Sequence, residues 1–356
     1  MFDCSIDVTE FHNEKITLGS DAQANMRGRR DANRDRLKKG LQNAKDPMPI
    51  EHVSQGSYAM RTMIQHDEND YDIDDGIYFE KADLVGPQGG DKTSLDTRKM
   101  VRDAVDDGSF KKAPEVRNNC VRVYYDAGYH VDLPAYRKVT SKDWLGHEQV
   151  HYELASSSWV RSDARDVTDW FDEQNKALSP DETNGRQLRR VVRYIKKFAK
   201  SRASWGSQIL SGFGITKLVT ECFRSSDDRD DLALYETMKA IKDRLLYNLV
   251  VVHPVTPDTT ITTGVDDPKA RFLRQKLEDA VGWLSRTQES DCTRDEALHC
   301  WDKVFSTDYF SSRFDETKES RVCNKSLGAL VTGLVSSSDS GQPEQAVRKQ
   351  GGGRFA

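Results

Sequence analysis

The sequence predicts an α+β protein, with a mixed β-sheet backed by helices in its first half and a helical domain after it. Between Gln55 and Leu133 apolar residues alternate with polar ones in short runs, as half-buried strands require. From about Ser162 onward the apolar spacing changes to three and four and stays helical. At 356 residues the chain can form one large or two ordinary domains, each with a proper core.

Residues 1 to about 20 read as a loose arm or short strand. Asp21 to Ala44 is helix-forming and heavily charged, with Ala22, Met26, Leu37 and Leu41 as its few apolar contacts. That pattern predicts a long, mostly solvated helix bracing the core, ended by Pro47 and Pro49. Gln55 to Thr62 follows as a small-residue turn opening a short helix. Gly56-Ser57 lets the backbone approach a phosphate closely, with free N–H groups of the helix start pointing at it. Tyr71 to Phe79 reads as a strand. Its period of two puts Asp72 and Asp74 on one face and Ile73 on the other. Neighbouring carboxylates repel unless a cation sits between them, and their hard oxygens suit Mg²⁺.

A third carboxylate comes from Cys120 to Tyr136, which reads as a hairpin. Val121, Val123 and Tyr125 alternate on one arm, Tyr129, Val131 and Leu133 on the other, and Asp126-Ala127-Gly128 makes the turn. Asp132 faces away from the apolar side, where Asp72 and Asp74 can meet it. A turn for phosphate and a strand for metal are the equipment for moving a nucleotidyl group. Each short pattern alone is common by chance; their order and placement give them weight. Gly86 to Thr93 superficially resembles a P-loop, but Asp91 stands before Lys92 and would repel phosphate.

The remaining elements follow the same logic. Ser94 is placed to cap a helix through about Asp107 with Leu95, Val101, Ala104 and Val105 facing inward, and Gln149 to Ala155 reads as a strand. Val167 to Asn175 is a short helix with Trp170 and Phe171. In Gly185 to Arg202, Leu188, Val191, Val192, Ile195, Phe198 and Ala199 form a core stripe. Arg186, Arg189, Arg190, Arg193, Lys196, Lys197, Lys200 and Arg202 surround it with no acid among them. Most of these are expected on a solvated face, yet unopposed like charges on one helix favour an anionic partner. Further helices are expected at about Asp231 to Val250, at Asp267 to Arg286 with Pro268 in the first turn, and at Arg294 to Ser306. Between the first two, Val252 to Thr259 is a proline-stiffened loop. It offers Asp258 as a candidate reader of a base edge and His253 as a packed loop histidine.

The net charge is −5, from 53 basic and 58 acidic residues, so nothing global asks for nucleic acid or an anionic membrane. No apolar run approaches the roughly 18–20 residues of a membrane span, and Met1 to Glu10 lacks the apolar core of a signal peptide. Six cysteines without a C-x-x-C pair fit reduced thiols, and a cytoplasmic location is expected. Cys292, His299 and Cys300 lack a fourth ligand at zinc-finger spacing.

Gln55-Gly56-Ser57-Tyr58, Asp72-Ile73-Asp74-Asp75-Gly76 and His130-Val131-Asp132-Leu133-Pro134 together resemble the polymerase-β-like nucleotidyltransferases. Within them the chain is most similar to the bacterial cGAS/DncV-like nucleotidyltransferases (CD-NTases), in particular the cyclic GMP-AMP synthase branch. The resemblance implies a polymerase-β-like core with a mixed β-sheet plus a C-terminal helical domain. Its divisions are an N-terminal arm and bracing helix (1–44), a catalytic core (45–161), a helical domain closing the nucleotide cleft (162–335) and a flexible tail (336–356). It also implies two Mg²⁺ or Mn²⁺ ions on Asp72, Asp74 and Asp132, and a nucleotide pocket that includes Gln55, Gly56, Ser57, Tyr58 and Arg122. Lys197 and Ser211 would touch the donor triphosphate, with Lys196 as the alternative register.

The activity implied is synthesis of a cyclic GMP-AMP-like messenger from ATP and GTP in bacterial antiphage (CBASS) signalling. The product, not the protein, would bind a downstream effector; neither membrane nor nucleic acid is expected as a partner. Synthesis of linear oligonucleotides, tailing of RNA ends and a non-enzymatic module remain as alternatives. The polar, Gly-rich tail from Ser336 is either linker remnant or, as in some family members, a substrate for a ubiquitin-transfer-like conjugating enzyme acting on the Ala356 carboxylate.

Overall fold

The structure, a computed structural model, describes residues 1–65, 71–125 and 128–313. The hairpin-turn residues Asp126 and Ala127, the end of the expected helical domain (314–335) and the tail with Ala356 lie outside the described residues.

In chain order the elements are α1 (Ser5–Phe11), α2 (Ser20–Ala44), β1 (Glu51–Gln55), α3 (Gly56–Ala59), β2 (Asp72–Glu80), α4 (Ser94–Val105), β3 (Glu115–Val116), β4 (Val121–Tyr124), β5 (His130–Leu133), β6 (Ala135–Lys142), β7 (Glu148–Ala155) and β8 (Trp159–Arg161). The helices α5 (Ala164–Leu178), α6 (Gln187–Ala199), α7 (Gly212–Cys222), α8 (Asp230–Tyr247), α9 (Pro268–Leu284) and α10 (Arg294–Phe305) follow. The α+β class and the mixed sheet are as the sequence predicts.

The sheet runs β3-β4-β5-β2-β6-β7-β8, with β1 also pairing with β2. β2 is parallel to both β5 and β6 and antiparallel to β1. The shift from β5 to β6 along β2 falls at Pro134, which has no N–H for a ladder; its carbonyl instead accepts from the Ile77 N–H at 2.9 Å. One sheet face packs Ile73, Ile77, Phe79, Val121, Val123, Val131 and Leu133 against Met26, Leu37 and Leu41 of α2 and Met100, Val101 and Val105 of α4. Asp75 shares this face, is fully buried, and takes the Arg34 guanidinium of α2 at 2.7 Å from Nε. The bracing helix therefore holds β2 by a buried charge as well as by packing.

In the helical part, all six residues of the α6 stripe are buried, as are Leu298, Trp301, Val304 and Phe305 of α10. Three expectations need correction. Residues 5–11 are a helix, not a loose arm, because Val8, Phe11 and Ile16 bury against the helical part; Phe11 packs on Phe305 and Phe310. The cap of α4 is Thr93, whose side chain accepts from the Asp96 N–H, while the Ser94 hydroxyl donates to the Ser156 carbonyl; Leu95 faces solvent. Three of the eight cations of the run are opposed by acids after all. Arg190 lies 2.6 Å from Asp230 and 2.5 Å from Asp181, Arg189 lies 2.6 Å from Asp172, and Arg186 lies 2.6 Å from Glu182. Those acids come from α5, α8 and the α5–α6 connection, which a reading of one helix cannot bring alongside.

Candidate active site

β1 delivers the turn. Its register sets Gln55 opposite Asp74, so the chain leaves the strand beside that carboxylate. Gly56 has φ +64°, and a Cβ there would stand 2.1 Å from Asp74 Oδ2. Only glycine satisfies both the backbone conformation and the close approach. Gln55 is buried beneath the turn, where its Oε1 accepts from the Tyr136 hydroxyl at 3.1 Å. Tyr136 stacks on Tyr78 at 4.6 Å, and the Tyr78 hydroxyl donates to Asp163, the cap of α5, at 2.9 Å. Gln55 is thus a support for the turn.

β5 delivers the third carboxylate. Parallel pairing puts Asp132 opposite Asp74 and His130 opposite Asp72, so the three acids share a sheet face as the alternation predicts. Burial first, then the charges of Asp132 and Asp72, push the Asp74 carboxyl up to about 7, against a smaller opposing pull from Arg122. Arg122 on β4 forks Asp132 at 2.8 and 2.7 Å, and that carboxylate holds the guanidinium above its ordinary range. His130 Nδ1 lies 3.2 Å from Asp72 Oδ1.

Among the described residues no three carboxylate, imidazole or thiol groups already converge as a metal cage. The donor set nevertheless fits a divalent cation: hard oxygens from adjacent strand positions, and a carboxyl raised by burial and by its acidic neighbours, a cost that positive charge would relieve. Asp132 would have to share itself with Arg122.

A cleft of about 1110 Å³ opens over this face, between the sheet and helices α5, α6 and α7. It brings together Gln55, Gly56, Ser57, Asp72, Asp74, Lys197 and Ser211. Ser211 caps α7, its Oγ accepting from the Gly214 N–H at 3.2 Å. Other expected residues stand elsewhere. Tyr58 packs against the sheet core, Arg122 and Asp132 pair with each other on β4 and β5, and Asp258 is exposed outside the cleft lining. His253, read from sequence as a packed loop histidine, lines the cleft beside Phe213 at 5.3 Å between ring centres. Lys200, Arg202 and Lys269 also line it; the first two belong to the cationic run, whereas Lys269, one residue into α9, carried no sequence signal.

A phosphate-ready turn lies against paired strand carboxylates, with a third in register on a parallel neighbour. Residues 50–136 match the family described as "Cyclic GMP-AMP synthase DncV-like, nucleotidyltransferase domain", a span from the residue before β1 into β6 that holds all three acids. This core is similar to a DncV-like nucleotidyltransferase domain, as the resemblance implied. The whole fold is similar to that of Escherichia coli DncV in its 3′-deoxy GTP-bound form (TM-score 0.64, 17% identity, covering 86% of this chain and 96% of that one). It is similar also to Vibrio cholerae DncV in complex with the linear intermediate 5′ pppA(3′,5′)pG (0.63, 16%, 82% and 91%), and to CdnC of E. coli MS115-1 with ATP (0.61, 16%, 87% and 99%).

Proposed function

We propose that the protein makes a cyclic dinucleotide, or a related cyclic oligonucleotide, from ATP and GTP as a messenger in antiphage (CBASS) signalling. The observation that carries the chemical part is the register of Asp74 and Asp132 beside the Gly56 turn. The linear pppApG intermediate held by the Vibrio relative supports two successive transfers.

Asp72 and Asp74 would hold Mg²⁺ or Mn²⁺ with Asp132; bound there, the metal offsets triphosphate charge and acidifies the acceptor hydroxyl. The chain's own residues bind and orient. The N–H groups and hydroxyl at Gly56-Ser57 receive donor phosphate oxygens. Lys197 and the Ser211 hydroxyl at the start of α7 reach the triphosphate from the opposite wall. Asp132, which completes the carboxylate set on the acceptor side, would take the proton of the attacking ribose hydroxyl as pyrophosphate leaves. The half-buried Phe213 and His253 supply an apolar wall against which a base can lie.

Incubating the protein with all four NTPs and Mg²⁺ or Mn²⁺, then weighing the products, tests this. A phosphatase-resistant product with the mass of a cyclic dinucleotide is expected. A phosphatase-sensitive ladder would replace it with the linear-synthase reading, and no incorporation of any NTP would overturn the reading altogether.

A further inference from the structure

One face of α6 grips the chain just after the phosphate turn. Arg189, Arg193 and Lys196 are spaced four and three apart, so they point the same way. Arg189 Nε donates to the Met60 carbonyl at 3.0 Å. Arg193 donates to the Arg61 carbonyl from Nε at 2.9 Å and from Nη2 at 2.5 Å. Lys196 Nζ donates to the Thr62 carbonyl at 3.3 Å and to the Thr62 hydroxyl at 2.9 Å. Three successive carbonyls thus receive three successive cations.

Those carbonyls are tied directly to the turn. The Met60 N–H donates to the Gly56 carbonyl at 3.1 Å, the Arg61 N–H to that of Tyr58 at 3.1 Å, and the Thr62 N–H to that of Ser57 at 2.8 Å. Between them Arg61 sits at φ +53°, a left-handed conformation uncommon for a residue other than glycine. Such a backbone persists only where its surroundings over-determine it, and here the restraint comes from α6. Lys196 is buried, and its Cε would lie 3.5 Å from a Cβ placed on Gly212, so it also reaches the start of α7. Burial, then the charges of Lys200 and Arg193, push its ammonium down to about 7.

We infer that Arg189, Arg193 and Lys196 are positioning residues, a clamp by which α6 sets the Gly56-Ser57 turn against β2 for nucleotidyl transfer. Neighbouring Lys197 faces the cleft from the same helix, so one rigid element aligns both walls of the phosphate site. The inference rests on the nucleotidyltransferase reading.

The test uses the full chain and compares Lys196→Met, Arg193→Met and Arg193→Lys with wild type. Turnover with NTPs, affinity for non-hydrolysable ATP and GTP, melting temperature and amide exchange of residues 56–62 are measured. Lys196→Met should lower kcat about 10- to 100-fold, the scale of a misaligned reacting group. Its analogue Kd should stay within about threefold, and its melting temperature should be equal or higher. Exchange at Ser57 and Thr62 should quicken. Arg193→Met should act likewise, and Arg193→Lys, which keeps one donor, should recover most of the rate. Loss of rate only in proportion to loss of folded protein, loss carried wholly by Kd, or unchanged exchange at 56–62 would each overturn the clamp. A wild-type protein inert toward every NTP would instead sink the nucleotidyl reading, while the exchange arm, run without nucleotide, still decides whether α6 holds the turn.

Discussion

β2 and α6 both carry runs of like charge, and the fold treats them oppositely. On α6, Arg189 and Arg190 meet acids from three other segments, and Arg193 and Lys196 donate to backbone carbonyls. On β2, Asp72 and Asp74 gain another acid opposite Asp74, namely Asp132; Arg122 forks Asp132 and His130 lies beside Asp72. The acids that meet Arg189 and Arg190 come from other segments of the fold, whereas the acid brought opposite Asp74 adds to its charge. The clustering of Asp72, Asp74 and Asp132 makes β2 the element expected to meet a cation, and Arg189, Arg190, Arg193 and Lys196 the framework part of α6.

The sharpest break of that comparison removes one acid. Asp74→Asn or Asp72→Ala should lower product formation by about 10³-fold or more, as loss of a principal electrostatic group does, with an unchanged circular dichroism spectrum. Near-normal turnover in either would return β2 to the status of an ordinary solvated strand. Arg190→Met attacks the other element. It leaves Asp230 buried with its main counter-charge gone, and should cost about 3–5 kcal/mol in denaturant unfolding, while turnover per folded molecule changes little.

Within α6 the two adjacent lysines separate framework from site. Lys197→Ala should raise the donor KM about tenfold with a smaller change in kcat, because a cation on triphosphate aids ground-state binding; Lys196→Met should do the reverse. If the two exchanged behaviours, the roles assigned along this helix are off by one position. Ser57→Ala should cost less than any change among the acids, since the backbone N–H groups of the turn survive the loss of one hydroxyl.

The smallest effect is thermal. Folding raises the Asp74 carboxyl from its usual 3.8 to about 7 in the metal-free protein. The protonated form therefore favours the folded state, and the stability it contributes is lost as pH rises from about 4 through 7. Metal-free Asp74→Asn should then melt a few degrees above wild type at pH 8, with the gain shrinking toward pH 5. Added Mg²⁺ should narrow that difference by stabilising wild type alone. An equal gap at both pH values would show that Asp74 carries no such burden.

Much of this site was legible because strand alternation is local. Asp72, Ile73 and Asp74 declare their faces from three consecutive letters, and the hairpin places Asp132 by the same rule. The turn was legible only through its place, a Gly-Ser opening a short helix ahead of the Asp-x-Asp strand. β1, β6 and α7 were missed for a different reason: Glu51 to Gln55 and Ala135 to Lys142 are too polar to alternate cleanly, and they are strands because β2 and β7 offer them partners. The acids opposing α6 lie between 4 and 40 residues from their cations, so no window along the helix contains the answer. Nor could sequence show that three of those cations spend themselves on carbonyls 129 to 134 residues away, since backbone acceptors look alike in every residue.

The docking of α1 has a consequence for how the protein comes into being. The Phe2 N–H meets the Thr287 carbonyl at 2.6 Å, the Cys4 N–H meets Asp231 at 2.9 Å, and Asp7 pairs with Arg294 at 2.6 Å. Every one of these partners is made more than 220 residues after α1 leaves the ribosome. Until α10 emerges, Val8 and Phe11 have no complete surface to cover, whereas the sheet and its two backing helices can already close on themselves. The nascent chain should therefore hold a folded catalytic sheet beside an unfinished helical half for most of its synthesis. Competence for catalysis would arrive late and abruptly, when the last described helix folds over the first.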